Sequence, residues 1–223
     1  MDWERWRGQA VVEPSIYAAD FLRLGEQLEA LLAAGARVFH FDIGDGHFVP
    51  PVTIGPVVLR SIAPLIHDAG GVLDCHVMVD NPAHHFPEIA ESGGDSVTFH
   101  VEATKDYAGV AARARELGLG VGIVFAPETS VEDAVRAVEA AGADLALCMS
   151  IAPGYSGQQF RPDALPRIER LRQLVDCHVQ VDGGINEETI GAAHQAGANL
   201  LVAGSALFRD VPGAYRRFVE LVS

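Results

Sequence analysis

Four polar residues fall where apolar strands should end: His40 and Asp42 in VFHFDIGDGHF, His76 in VLDCHVMV and Asp182 in VQVDGG. Two imidazoles and two carboxylates form a donor set suited to a divalent ion such as zinc, iron, manganese or cobalt. His40 and Asp42 stand two residues apart, so on a strand they share a face. Two carboxylates at one ion can also move protons on a bound molecule. Each residue alone reads more simply as a hydrogen-bonded core histidine or a turn aspartate. The four together, on three strands at matching depth, favour a single metal site.

A second constellation is a set of glycine turns: APGYSGQQF, DGGIN and AGSALF. Backbone amides in such turns can hold phosphate. Gly183, Gly184, Gly204 and Ser205 fit that role, and Gly154, Ser156 and Gly157 could close over a ligand. Tight turns need glycine in any case, so each loop alone is a weak signal. Metal, phosphate clamp and paired carboxylates together point to a phosphorylated sugar with a carbonyl. There the ion polarises the carbonyl and stabilises an enediolate. Carboxylates on opposite faces of the neighbouring carbon would invert it.

The elements that must position these residues alternate along the whole chain. Apolar strand-like runs lie near 11–17, 37–43, 72–79, 96–102, 120–126, 145–151, 177–182 and 199–204, each followed by a helical stretch and often entered through glycine. The first helix is expected over 21–34, with Phe21, Leu22, Leu24, Leu28, Leu31 and Leu32 on its apolar face. Another is expected over 130–141, capped by Thr129 or Ser130, with Glu132 in its first turn. Eight βα units predict an α/β fold, a (β/α)8 barrel spanning 1–223 as one domain. An open doubly wound sheet is the alternative, but no GxGxxG follows the first strand.

Strand parity sharpens the picture. Val38, His40 and Asp42 share one face and Phe39, Phe41 and Ile43 the other. Asp74, His76 and Met78 go together, as do Thr98 and His100, and His178, Gln180 and Asp182. If the apolar sets pack on helices, the polar sets point into the barrel, and their C-terminal members reach its upper mouth.

The chain has 223 residues, 49% of them hydrophobic, enough for a sizeable core. Acidic residues outnumber basic ones 30 to 16, for a formal charge of -14. With no basic cluster against that balance, nucleic acid and anionic membrane surfaces are poor partners. Cys75, Cys148 and Cys177 show no CxxC spacing and read as buried thiols in a reducing compartment. The N-terminus MDWERWRG lacks an apolar h-region, and no run reaches membrane length, so a cytoplasmic protein is expected.

With these residues in place, the chain resembles the ribulose-phosphate 3-epimerase family over nearly its full length. The resemblance rests on EPSIYAADF (13–21), HFDIGDGHFVPPVTIGP (40–56), LDCHVMVDNP (73–82), HVEA (100–103), MSIAPGYSGQQF (149–160), VDGGIN (181–186) and VAGSALF (202–208). It implies a divalent metal on His40, Asp42, His76 and Asp182, with Asp42 and Asp182 exchanging protons at C3 of a ketose phosphate. It implies conversion of D-ribulose 5-phosphate to D-xylulose 5-phosphate within the pentose phosphate pathway. Ser15 is similar to the family's substrate-contacting serine, Met78 and Met149 to two of its pocket methionines, and His76 is expected to border the substrate too. His100 carries no implied role beyond a satisfied pocket-lining histidine. His47, His84, His85 and His194 read as surface or loop residues.

The chain departs from the family at Gly44 (usually methionine), Pro51, Ala126 and Ala152 (usually asparagine), and Tyr17 and Ala18 (usually leucine and serine). These departures keep two alternatives open: an epimerase of another ketose phosphate, such as allulose 6-phosphate, and a barrel that binds a sugar phosphate without turning it over. A small-molecule sugar phosphate is the expected partner, and assembly as a homo-oligomer is expected.

Overall fold

A computed structural model describes residues 3–223. It contains eight parallel strands: β1 (Val11–Pro14), β2 (Val38–Gly44), β3 (Val72–Met78), β4 (Ser96–His100), β5 (Gly120–Phe125), β6 (Leu145–Met149), β7 (His178–Asp182) and β8 (Leu200–Ala203). Helices follow them: α1 (Leu24–Ala33), α2 (Pro56–Asp68), α3 (Pro82–Glu91), α4 (Tyr107–Glu116), α5 (Val131–Ala141), α6 (Ala164–Leu174), α7 (Ile190–Gln195), α8 (Ser205–Phe208) and α9 (Val211–Leu221). The strands pair in the order β1-β8-β7-β6-β5-β4-β3-β2. A parallel bridge between Ser15 and His40 brings β1 to β2 and all but closes the ring. This is the (β/α)8 barrel expected from the alternation of runs.

The parity reading holds. Phe39, Phe41, Leu73, Cys75, Val97, Phe99, Val179 and Val181 belong to the large apolar cluster that the helices cover. Val38, Val124, Leu145, Leu147, Met149 and Leu200 form a separate inner cluster with Trp3 and Trp6. Between that floor and the upper mouth sits a buried polar layer of Glu13, His40, Asp74, Thr98 and Gln180.

Helix ends follow local chemistry. The Ser130 hydroxyl caps α5 by accepting from the Asp133 amide, and Gly142 ends the helix in the left-handed region at φ 56°. The first helix begins at Leu24 rather than 21, because the Asp20 carboxylate accepts from the Leu22 amide and turns the chain. Phe21 and Leu22 therefore leave the expected apolar face and are 45% and 96% exposed. Cys75 and Cys148 are buried as expected, whereas Cys177 is only half-buried, since it precedes β7 instead of lying within it.

The end of β2 is tightly built. The Gly44 amide donates to the Thr53 hydroxyl at 2.7 Å, and that hydroxyl donates to the Asp42 carbonyl at 2.7 Å. The Asp45 carboxylate accepts from the amides of His47, Phe48 and Asp80. The loop thus folds back over the strand end, and the place beside Gly44 is filled. A Cβ there would lie 2.9 Å from Val49 Cγ2 and 3.1 Å from both the Pro51 carbonyl and Thr53 Cγ2. Tyr17 is not among those nearest atoms. Gly44→Met should therefore overpack the loop, lower stability by about 1–3 kcal/mol and reduce activity on every substrate alike. A urea midpoint equal to that of the wild type would refute this account.

Candidate metal and substrate site

Register brings the polar residues together. In the β2–β3 ladder His40 lies opposite Asp74 and Asp42 opposite His76. His76 Nδ1 is 3.1 Å from Asp42 Oδ1, and His40 Nε2 is 3.3 Å from the same oxygen. Asp182, at the end of β7, completes a set of four residues whose ligand atoms all lie within 4.8 Å of one another. Ligands about 2.0–2.1 Å from a tetrahedral ion sit roughly 3.3 Å apart, so these spacings suit one small divalent cation. The nitrogen of His40 adds an independent sign: Nε2 is fully buried and has no hydrogen-bond partner. The four residues fit the metal implied for them.

Charge at the site is strongly unbalanced. Burial resists a proton on His40, but Asp42, Asp74 and Asp182 outweigh it and push the imidazole well above its usual range. Burial would raise Asp42, yet His40 and His76 hold it well below the usual carboxylate range. Burial and the Asp42 charge push Asp182 up to about 7. The pocket favours positive charge, which an ion on these ligands would supply.

Behind His40 lies a layer in which strand parity anticipated Asp74, Thr98 and Gln180 but not Glu13. His40 Nδ1 is 3.5 Å from Asp74 Oδ2 and 3.9 Å from Glu13 Oε2. The Gln180 amide bridges the two carboxylates, donating to Glu13 at 2.7 Å and Asp74 at 2.9 Å. Ser96 and Thr98 hydroxyls also donate to Asp74. Burial and then Asp74 push Glu13 up to about 8. A carboxylate in an apolar strand, two residues before Ser15 and on its face, was the signal available in VVEPS.

Above the four residues opens a cleft. Asp42 and Asp182 line it, as do Ser15, Met78, Met149, Gly154, Ser156, Gly157, Gly183, Gly184, Gly204 and Ser205. The residues anticipated for substrate thus meet at one place, His76 excepted: it is fully buried beneath the cleft wall. Ser15 has a second contact, its hydroxyl donating to Asp42 Oδ2 at 2.8 Å. Tyr17, Ile151, Tyr155, Gln158, Ile185 and Val202 also line the cleft. Of these only Tyr17 stood out in the sequence, as a departure from the family; the others carry no spacing signal. His47 and His84 are exposed, and His85 and His194 half-buried, none of them at the cleft.

The rim is shaped by glycine where a side chain cannot go. Gly184 has φ 63°, and a Cβ there would come within 2.1 Å of the Phe160 amide nitrogen. The β6 and β7 loops therefore touch backbone to backbone. Gly154 packs likewise against Val49 and Pro51, where a Cβ would stand 3.2 Å from either side chain. Pro51 thus serves as a contact for the β6 loop.

His100 is buried outside the cleft lining, its ring stacked on His76 with centroids 5.1 Å apart. Its Nε2 is 2.9 Å from His76 Nε2, and its Nδ1 is 3.0 Å from Glu102 Oε2. Burial would raise Glu102, but hydrogen bonds from His100, Thr129 and the Ala126 amide bring it down to about 2.

Comparison with known proteins accords with this geometry. The model of the ribulose-phosphate 3-epimerase family matches residues 11–208. The chain is 41% identical over 213 residues to the ribulose-phosphate 3-epimerase of Mycobacterium tuberculosis, across 93% of this chain and 90% of that one. It is 40% identical over 212 residues to the Candida glabrata enzyme of the same name, across 89% and 85%. Among solved structures, a tryptophan synthase from M. tuberculosis superposes with TM-score 0.72 at 16% identity, across 99% and 96% of the two chains. KGPDC from Streptococcus mutans gives 0.71 at 14%, across 96% and 97%. Likeness at that identity speaks for the barrel alone, whereas the sequence relatives speak for the reaction class: the chain belongs to the ribulose-phosphate 3-epimerase family, and its named relatives are isomerases.

Proposed function

We propose that this chain interconverts D-ribulose 5-phosphate and D-xylulose 5-phosphate by proton transfer at C3 between Asp42 and Asp182. The observation that carries the reading is the placement of these two carboxylates. They line one cleft, and the strands that bear them, β2 and β7, are separated around the ring by β1 and β8. Acids reaching a bound carbon from different sides can remove a proton from one face and return one to the other, which inverts that centre. Without an ion their surroundings already differ, Asp42 being held low while burial and the Asp42 charge raise Asp182 to about 7, and an ion shared by both would lower each. Ser15 anchors Asp42 from the side opposite the imidazoles and fixes the carboxylate's orientation. A divalent ion on His40, Asp42, His76 and Asp182 would supply a Lewis acid for the C2 carbonyl and for the charge left when C3 loses its proton.

The phosphate would sit against the glycine turns that line the same cleft, at Gly183, Gly184, Gly204 and Ser205, whose backbone amides suit an anion. Met78 and Met149 give the reacting end an apolar wall that excludes water. The filled place beside Gly44 favours a five-carbon sugar over allulose 6-phosphate, because no added depth opens there. Opposed carboxylates argue against a barrel that only binds. Two buried thiols and the lack of a membrane-length helix among the described residues accord with a reducing, cytoplasmic setting.

Stripping divalent ions with a chelator should abolish turnover, and zinc, iron, manganese or cobalt should restore it. Full activity in protein shown by elemental analysis to be metal-free would sink the metal reading. Asp42→Asn and Asp182→Asn should each slow turnover by roughly 10²–10⁴-fold or more, measured with metal occupancy alongside. In D₂O the wild type should place deuterium at C3, and product that wholly retains its C3 hydrogen would exclude the two-carboxylate route. A Cβ at Gly204 would approach Ser156 Oγ at 3.3 Å and Ala18 Cβ at 3.4 Å, so the larger Gly204→Val should crowd the phosphate end. It should raise KM for the sugar phosphate while leaving metal affinity intact; equal losses in both would count against the clamp.

A further inference from the structure

His76 turns its Nδ1 toward Asp42 Oδ1, and its other nitrogen faces an unusual partner. A histidine ligand commonly donates its second ring proton to a carboxylate or a carbonyl. Here that nitrogen meets the imidazole of His100 at 2.9 Å, and His100 in turn meets Glu102 at 3.0 Å. Glu102 is fixed by other donors: its Oε1 accepts from the Ala126 amide at 3.0 Å and from the Thr129 hydroxyl. The row therefore runs Asp42, His76, His100, Glu102, from the cleft to the loop after β5.

Hydrogen-bond accounting leaves one arrangement of protons for neutral rings. Glu102 is an acceptor, so His100 must carry its proton on Nδ1 and donate it to Oε2. His100 Nε2 is then bare and must accept. His76 must carry its proton on Nε2 and donate it to His100. That leaves His76 Nδ1 with a lone pair directed at Asp42 Oδ1, 3.1 Å away. Two acceptors at that distance repel unless a cation lies against both. The carboxylate at the outer end thus dictates which nitrogen His76 presents at the inner end.

We infer that His100 and Glu102 are positioning residues that lock His76 in its Nε2-protonated tautomer and so hold its Nδ1 ready to bind the divalent ion. This inference rests on the metal reading proposed above. The Phe48 ring, 4.8 Å from His100 between centroids, packs beside the relay and limits rotation of its middle member. The HVEA run thereby gains a role: its histidine and glutamate, two residues apart, serve the ion without touching it.

The test uses zinc alone as the probe. Zinc affinity is measured by chelator competition on the wild type, His100→Leu and His100→Gln, with the thermal midpoint of each metal-free protein recorded. His100→Leu should bind zinc about 10–100-fold more weakly, as loss of such an outer partner does elsewhere. His100→Gln should recover most of the affinity, since its carbonyl can accept from His76 and its amide can donate to Glu102. A role in packing alone predicts no such difference between the leucine and glutamine variants, and that result would overturn the inference. ¹⁵N spectra of the zinc-loaded wild type give a second reading that does not depend on any variant folding. The His76 proton should sit on Nε2 with zinc on Nδ1, and the reverse assignment would also overturn the inference. A wild type that binds no zinc at these residues removes the metal reading itself, and this inference falls with it.

Discussion

Buried negative charge is the constraint on which the rest of the structure depends. Glu13, Asp42, Asp74 and Asp182 are gathered inside one barrel, and His40 stands among all four. An unmatched buried carboxylate costs several kcal/mol, so each must find donors, a countercharge or, as at Glu13, a proton. Asp74 finds Gln180, Ser96 and Thr98; Asp42 finds Ser15. What remains unmet is concentrated at the mouth, where a cation can enter. The barrel therefore spends stability at the place where the proposed chemistry needs an electrophile, and an ion bound there would recover part of it.

The layers of the interior follow from that constraint. A dry floor of Val38, Val124, Leu145, Leu147 and Leu200 closes the lower end beneath Trp3 and Trp6. The polar layer above it is far from water on that side, which strengthens every interaction within it. Outside the strands, Phe39, Phe41, Phe99 and their neighbours pack on the helices and keep the strands in register. A slip of one residue in β2 would send His40 and Asp42 into that apolar shell and bring phenylalanines to the ion site. Packing on one face thus enforces chemistry on the other.

Much of this was legible in the sequence, because alternation along a strand has a fixed period. His40, Asp42, His76 and Asp182 declared themselves by interrupting apolar runs on one parity, and the glycine turns marked the rim. The start of α1 was not legible, since an Asx turn at Asp20 competes with a helical pattern that looks continuous through Phe21 and Leu22. Nor was the filling of the space beside Gly44, which depends on how the loop through Val49 and Thr53 folds back. Glu13 and Glu102 were overlooked for a similar reason: their importance lies in partners on other strands and loops, at sequence distances that no local period encodes.

The bridge between Ser15 and His40 has a consequence for how the molecule reaches its working form. Among the described residues, β1 and β2 meet through that bridge and not through a ladder, and both residues of the bridge border Asp42. The ring is thus fastened at the level of its reactive carboxylate. A chain that has paired β2 through β8 but has not yet docked its first strand possesses the imidazoles and both aspartates, yet leaves Asp42 without the hydroxyl that orients it. The strand that closes the ring is thus also the one that brings the hydroxyl orienting Asp42, so closure of the barrel and completion of the site depend on the same contact.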